Sequence, residues 1–455
     1  MLNQINPQSE AMTKKSRASI LFSFIFVSAG VNNSYLNNDL PVKSENYYTK
    51  KAKIKNNIKL SYWALYDVND SQFYGIFPFE RNKENMDFTK NLTLDDAKYL
   101  YKNTKDKLNS LNINTNDKEF NFKSLNRNEV ISSILFLVNK DESFRQKFFY
   151  GLQDKDYLNK KISLQESICL YTRACKEIIG EENKGSQGYF YKVEKGNNKI
   201  YLLGSIHLGI KEMYPIRSEI IKALNESKEI YFEIDPTDPE LSKIYKTNMY
   251  YNSKGNLENE LGQTYNRLLP FLLQRGIPKE RINKIRPWAV YNMLSLDEKN
   301  IYGSSYGIEN YFSNLALINN IPIKELESAK FQAKLLKNFD TDMYASMSED
   351  LISEIEINGY KNINQSLYLT QKDWIDGNTK SLKVLTEDDG YSQAQISFDK
   401  ALLDKRDIDM AKKIDKLLKE ENNKTIFVVV GAAHLVPQTS ARGILEDMGY
   451  KVIKL

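Results

Sequence analysis

Histidine is almost absent from this chain: 455 residues contain two, His207 and His434. With no third histidine, a serine triad would have to use one of these two. No Gly-x-Ser-x-Gly elbow accompanies them, and no His-Glu-x-x-His helix is present, which excludes an ordinary zincin. Cysteine is equally scarce, with Cys169 and Cys175 alone. If their segment is helical, six residues of rise hold the two too far apart to bridge. A disulfide therefore requires a broken helix, and both possibilities stand at this level. Charge of one sign is not in excess either: 64 basic against 59 acidic residues leave +5. Nucleic-acid binding would need a clustered basic face, and no zinc-finger or RNA-recognition signature appears. The short run Lys50, Lys51, Lys53 and Lys55 reads as a solvated surface.

Long apolar runs are missing as well. The longest candidate, residues 18–29, is shorter than the ~18 residues a membrane span needs. Lys14, Lys15 and Arg17 precede it and Val27-Ser28-Ala29 closes it with small residues. A positive start, a short apolar stretch and a small-residue exit describe a cleavable secretory signal, so export is expected, to the periplasm or beyond, with a mature start near Gly30. Met12 as the true start would give that signal a more ordinary length. No cysteine lies near the cleavage site, so a lipid anchor is not supported.

Aromatic residues are not scarce. They reach 12%, with 29 tyrosines, and supply enough apolar mass for a buried core. Residues 30–180 are polar, rich in Asn, Lys and Asp, with apolar clusters at 131–138 and helical spacing at 91–111 and 162–179. This region is expected to be mainly helical and carries no catalytic constellation. Residues 180–188 (GEENKGSQG) read as a linker. The pattern then changes. Alternation at 189–194, a Gly196-Asn197-Asn198 turn and a second run at 199–203 predict a hairpin. Further strands are expected at 229–234, 321–326, 425–430 and 451–455, with helices at 216–227, across 239–302 and 329–418, and at 439–448. Apolar strands alternating with helices predict an α/β class with a covered sheet.

The two histidines share one local pattern. Residues 200–209 (IYLLGSIHLG) and 426–435 (IFVVVGAAHL) are each a buried-type strand ending in Gly-x-x-His. In α/β sheets, ligands bind beyond the carboxyl ends of the strands. Glycine at a strand exit permits a sharp turn and close backbone approach. One such histidine alone is more readily a satisfied core or capping group. Two in the same motif, more than two hundred residues apart, point to a shared site, and histidine is the commonest metal ligand. Glu233 closes an apolar strand, where an unpaired carboxylate is costly. A metal, an arginine or a raised pKa would resolve that cost. Asp235 reads as a turn residue before Pro236. Glu327 follows the next strand, either as a site group or as a charge facing the dipole of the following helix. Arg406 is a partner for one of these carboxylates, a substrate holder, or a surface residue.

Residues 189–455 resemble the TraB/GumN family, which includes the Tiki-type proteases. The resemblance rests on YKVEKGNNKIYLLGSIHLG (191–209), IYFEIDPTDP (230–239), IRPWAV (285–290), YGIENYF (306–312), ELES (325–328), DKRDIDMAKKI (404–414) and VVVGAAHLVP (428–437), in order and at matching spacing. It covers about 265 residues. Residues 30–180 have no counterpart in it. The resemblance implies a divalent metal held by His207, His434 and Glu233, with Glu327 as a further glutamate and a fold related to the erythromycin-esterase-like and ChaN-like proteins. Two departures stand out: Arg406-Asp407 where the pattern carries Arg-Asn, and Glu325 where it carries glycine. Family members include metal-dependent proteases, regulators of peptide pheromones and proteins linked to polysaccharide loci, so the resemblance implies a site more firmly than a substrate.

The leading expectation is an exported metal-dependent hydrolase acting on a peptide or protein. Two histidines and a carboxylate would leave positions open for water, and a glutamate would serve as general base. Glu233, Glu327 and Arg406 are the candidate catalytic groups. Mixed nitrogen and oxygen ligands suit Zn, Mn or Co alike. Two other readings stay open: a protein that sequesters a peptide, haem or metal without turnover, and an esterase using a histidine base without metal.

Overall fold

The computed structural model describes residues 58–455, apart from 82–85, 152–153, 253–254, 298–302, 384–392 and 421–422. The expected signal, the start near Gly30 and the Lys50–Lys55 run lie outside the described residues. Six strands form one mixed sheet: β1 Tyr189–Lys195, β2 Asn198–Ser205, β3 Glu229–Phe232, β4 Ile323–Glu325, β5 Thr425–Gly431 and β6 Val452–Lys454. Their order is β4-β3-β5-β2-β1-β6. β4, β3, β5 and β2 run parallel, whereas β1 is antiparallel to β2 and β6 to β1. The chain is thus a mixed α/β protein.

Local sequence accounts for the strands. The β1–β2 hairpin closes through Gly196-Asn197, with Gly196 at φ +58°, the left-handed conformation that tight hairpins need. β5 is apolar and buried from Ile426 on because it lies between β3 and β2 in the parallel part of the sheet. β4 is three residues long and half-exposed, as suits an edge strand, so the run expected at 321–326 is cut short on both sides.

The helices that matter for the site are α1 Leu65–Tyr74, α2 Leu94–Ser110, α3 Arg127–Leu137, α4 Leu164–Glu181, α5 Ser218–Glu226, α6 Ile308–Ile318, α7 Ala329–Lys337, α8 Gln393–Lys419 and α9 Ala441–Asp447. Others fill much of 241–294 and 341–376. In the N-terminal region α2, α3 and α4 begin at Thr93, Asn126 and Ser163, whose side chains accept from the backbone N–H three residues on. Among its described residues, from 58 on, that region is mainly helical, as expected. Cys169 and Cys175 both lie in the unbroken helix α4, buried and free, so no bond joins them.

The segment after α4 is held to the sheet domain. The Ser186, Gln187 and Gly188 N–H groups donate to the carbonyls of Pro215, Ile375 and Trp374 at 2.9, 2.8 and 3.0 Å. A continuous buried apolar cluster includes residues from Leu60 to Leu445 and joins the N-terminal helices to the sheet domain.

Candidate functional site at the carboxyl edge of the sheet

Four neighbouring parallel strands deliver four of the five expected groups to one edge. β2 ends at Ser205, two residues before His207; β5 ends at Gly431, three before His434. Glu233 directly follows β3, and Glu327 follows β4 by two residues. Because β5 lies between β2 and β3, both histidines and Glu233 meet around a single cavity. It measures about 20 Å³, room for one water- or ion-sized occupant. Ser205, His207, Glu233, Gly431 and His434 line it together with the apolar Leu382 and Leu403.

Arg406, on α8, is 1% exposed and bridges the two glutamates. Its Nη2 donates to Glu233 Oε2 at 2.7 Å, and its Nε to Glu327 Oε1 and Oε2 at 3.0 and 2.9 Å. The surface reading of Arg406 is therefore excluded. Gln332 Nε2 adds bonds to Glu327 Oε2 at 3.0 Å and Glu233 Oε2 at 3.3 Å, and Tyr245 donates to Gln332 Oε1 at 3.0 Å. The remaining Glu233 oxygen accepts from Gly431 N at 2.6 Å. A Cβ on Gly431 would come within 3.0 Å of that oxygen, so the glycine permits the approach. Burial pushes the Glu233 carboxyl up, but Arg406, both histidines and the Gly431 N–H outweigh it and hold it at about 2. Ser328, not Glu327, caps α7, and the Glu327 carboxylate is taken up by Arg406 and Gln332. Asp235 takes the turn role, accepting from Thr237 N at 2.8 Å. Glu325 is exposed and accepts from Asp235 N at 3.3 Å, so the charge at this departure faces solvent.

Each histidine is backed by a carboxylate. His434 Nδ1 lies 2.7 Å from Asp407 Oδ1. Asp407 is the departure from the Arg-Asn pattern, and its acidity makes it a partner for an imidazole N–H. His207 Nδ1 lies 2.6 Å from Glu309 Oε1, close enough for an ion pair, although the carboxylate sits off the ring's N–H axis. Burial lowers both imidazole pKa values, and the facing carboxylates more than reverse that, so both stand above the ordinary value. Glu309 was inside a motif already noted, YGIENYF, but a glutamate in the first turn of a helix reads as a dipole partner. Gln332 and Tyr245 carried no sequence signal.

The structure brings together all five expected residues and adds Glu309, Asp407 and Gln332. As arranged, no three His, Cys, Asp or Glu side chains among the described residues form a ligand set for one ion. Both Glu233 oxygens are already engaged. The donor chemistry nonetheless suits a cation. Four buried carboxylates against one guanidinium leave the cluster three charges negative while the imidazoles are neutral. Each imidazole presents Nδ1 to a carboxylate, as metal-binding histidines commonly do, and Nε2 of His434 lies 3.7 Å from Glu233 Oε1 at the cavity. One further lining residue, Ser205, has a buried hydroxyl with no hydrogen-bond partner.

A family model described as the TraB/PrgY/gumN family matches residues 189–454, which contain every one of these side chains. No curated protein and no solved structure matches the chain.

Proposed function

The chain belongs to the TraB/PrgY/gumN family, and from that premise we propose that it is a metal-dependent hydrolase of peptide bonds. The observation that carries this reading is the pairing of each histidine with its own carboxylate beside one small cavity. His207 and His434 would hold a divalent ion, with Glu233 as the nearest carboxylate; when bound, such an ion polarises a scissile carbonyl and acidifies water. Asp407 holds the His434 ring through its Nδ1, and Glu309 faces Nδ1 of His207 as an ion-pair partner. Arg406 keeps Glu233 ionised, which suits a ligand or an electrostatic group and disfavours a proton acceptor. Glu327 does not border the cavity and holds Arg406 in place behind it.

We place the mature protein outside the cytoplasm on the strength of residues 14–29. No helix among the described residues is long and apolar enough to cross a membrane. Cleavage of unstructured peptides, measured on metal-stripped protein with Zn, Mn or Co restored one at a time, tests the activity. Cleavage that needs a metal and fails in His207→Ala is expected; a protein that binds metal without cleaving would support sequestration instead.

The unpartnered Ser205 hydroxyl favours a second reading, an esterase with a histidine base and no metal. Ester hydrolysis that resists chelation and disappears in Ser205→Ala would establish that alternative.

A further inference from the structure

The family match begins at residue 189, yet the helix that presents Glu309 to His207 is seated on a helix outside the match. Tyr311, on α6, donates to Asp70 Oδ1 of α1 at 3.0 Å. The Asp70 side chain is wholly buried, and its other oxygen accepts from Lys176 Nζ of α4 at 2.6 Å. One turn further along α6, Asn314 Nδ2 donates to Asn69 Oδ1 at 3.1 Å. The Phe73 ring lies 4.8 Å from Tyr311 and 4.8 Å from Tyr214. The Tyr214 hydroxyl donates to Tyr306 O at 2.8 Å.

The start of α6 is docked on the His207 turn. Ile308 N donates to Ile206 O at 3.1 Å, and Gly209 N to Gly303 O at 2.8 Å. A Cβ on Gly307 would stand 2.5 Å from His207 O, and one on Gly209 would stand 1.8 Å from Tyr306 O. Against the sheet, α6 is held by Phe312 stacked on Phe427 at 5.2 Å. The Ile308 N–H bond fixes the first residue of α6, but beyond it the helix meets the sheet through apolar stacking, which tolerates rotation about the helix axis, whereas the bonds to Asp70 and Asn69 further along are directional. The contact between Glu309 and His207 is sensitive to that rotation, because a working site must hold its groups within about 0.5 Å.

We propose that the N-terminal helices are a positioning element for the site: Asp70, through Tyr311, fixes α6 and with it the placement of Glu309 against His207. Asp70 and Tyr311 are positioning residues and do not line the cavity. The proposal rests on the hydrolase reading only in treating His207 as a working group.

The test uses the full chain with ring-labelled histidine. Two histidines give two ring signals, assigned with His434→Asn. Tyr311→Phe, which removes one hydroxyl, is expected to displace the His207 signal, leave that of His434 in place, and lower kcat/KM for peptide cleavage about tenfold. Tyr171→Phe is the control, because it also deletes a buried N-terminal hydroxyl, one bonded to Ser133 Oγ at 2.6 Å away from α6. It is expected to leave both signals unmoved. Should Tyr311→Phe not fold, Asn314→Ser removes the second directional bond from α6 and carries the same expectation. An unmoved His207 signal in the α6 variant, or an equal displacement in Tyr171→Phe, would overturn the proposal. Wild-type protein that cleaves nothing would overturn the hydrolase reading alone, and the ring signal would still decide the positioning role.

Discussion

Arg406 carries the electrostatics of the site at the scale of single residues. Its guanidinium bridges Glu233 and Glu327, and all three are buried. Arg406→Met leaves two carboxylates without their cation and is expected to cost about 3–5 kcal/mol of stability in urea unfolding. Glu327→Gln should weaken metal binding less than Glu233→Gln, because only Glu233 borders the cavity. Acid stability follows from the same contacts. Glu233 falls from 4.5 to about 2 on folding, so its contribution is present above 4.5 and is lost as the pH drops toward 2. Acid unfolding of Glu233→Gln should therefore be flatter than wild type across that window. The histidines have the opposite sign. Their folded pKa values are raised, so in metal-free protein their contribution is full below 6.5 and is lost as pH rises through the folded values. Metal competes with those protons, so its affinity should increase over the same rise.

His207, His434 and Glu233 were legible because their residue types are rare or costly where they fall: the only two histidines, and a carboxylate closing an apolar strand. Glu327 and Arg406 were named as candidates beside equally ordinary readings, a helix-dipole charge and a surface arginine, and burial of their mutual ion pair decides for the site. Glu309 and Asp407 were not legible. An acidic residue on a helix has an ordinary surface explanation, and only the packing of α6 and α8 against the strand ends turns each toward an imidazole.

At the scale of elements, the sheet was readable wherever burial shapes sequence. β1, β2 and β5 lie close to their expected bounds, since hairpin alternation and a wholly apolar run are strong patterns. β4 was overextended because an edge strand lacks that pattern. The docking of the α6 start on the His207 turn depends on a backbone approach that leaves no room for a side chain. Gly209→Ala would place a Cβ against Tyr306 O, and a loss of roughly 1–3 kcal/mol is expected, together with loss of activity. Urea unfolding and cleavage assays on the same variant check both.

Across the whole molecule, residues 180–188 do not behave uniformly. Residues 182–184 are exposed, while Ser186 to Gly188 are bonded to the sheet domain. Limited proteolysis should therefore cut near 182–184, and the two pieces should stay associated through Asp70, Asn69 and Phe73. Size-exclusion chromatography of the nicked protein checks this, with separated pieces as the contrary result. The central claim is that His207 and His434 hold one ion between them, and a cobalt titration followed by visible absorption tests it most directly. Wild-type protein should take up one equivalent per chain. His207→Ala and His434→Ala should each lose at least about a hundredfold in affinity, with the double variant little worse than either. A double variant that binds cobalt as tightly as wild type would contradict the account.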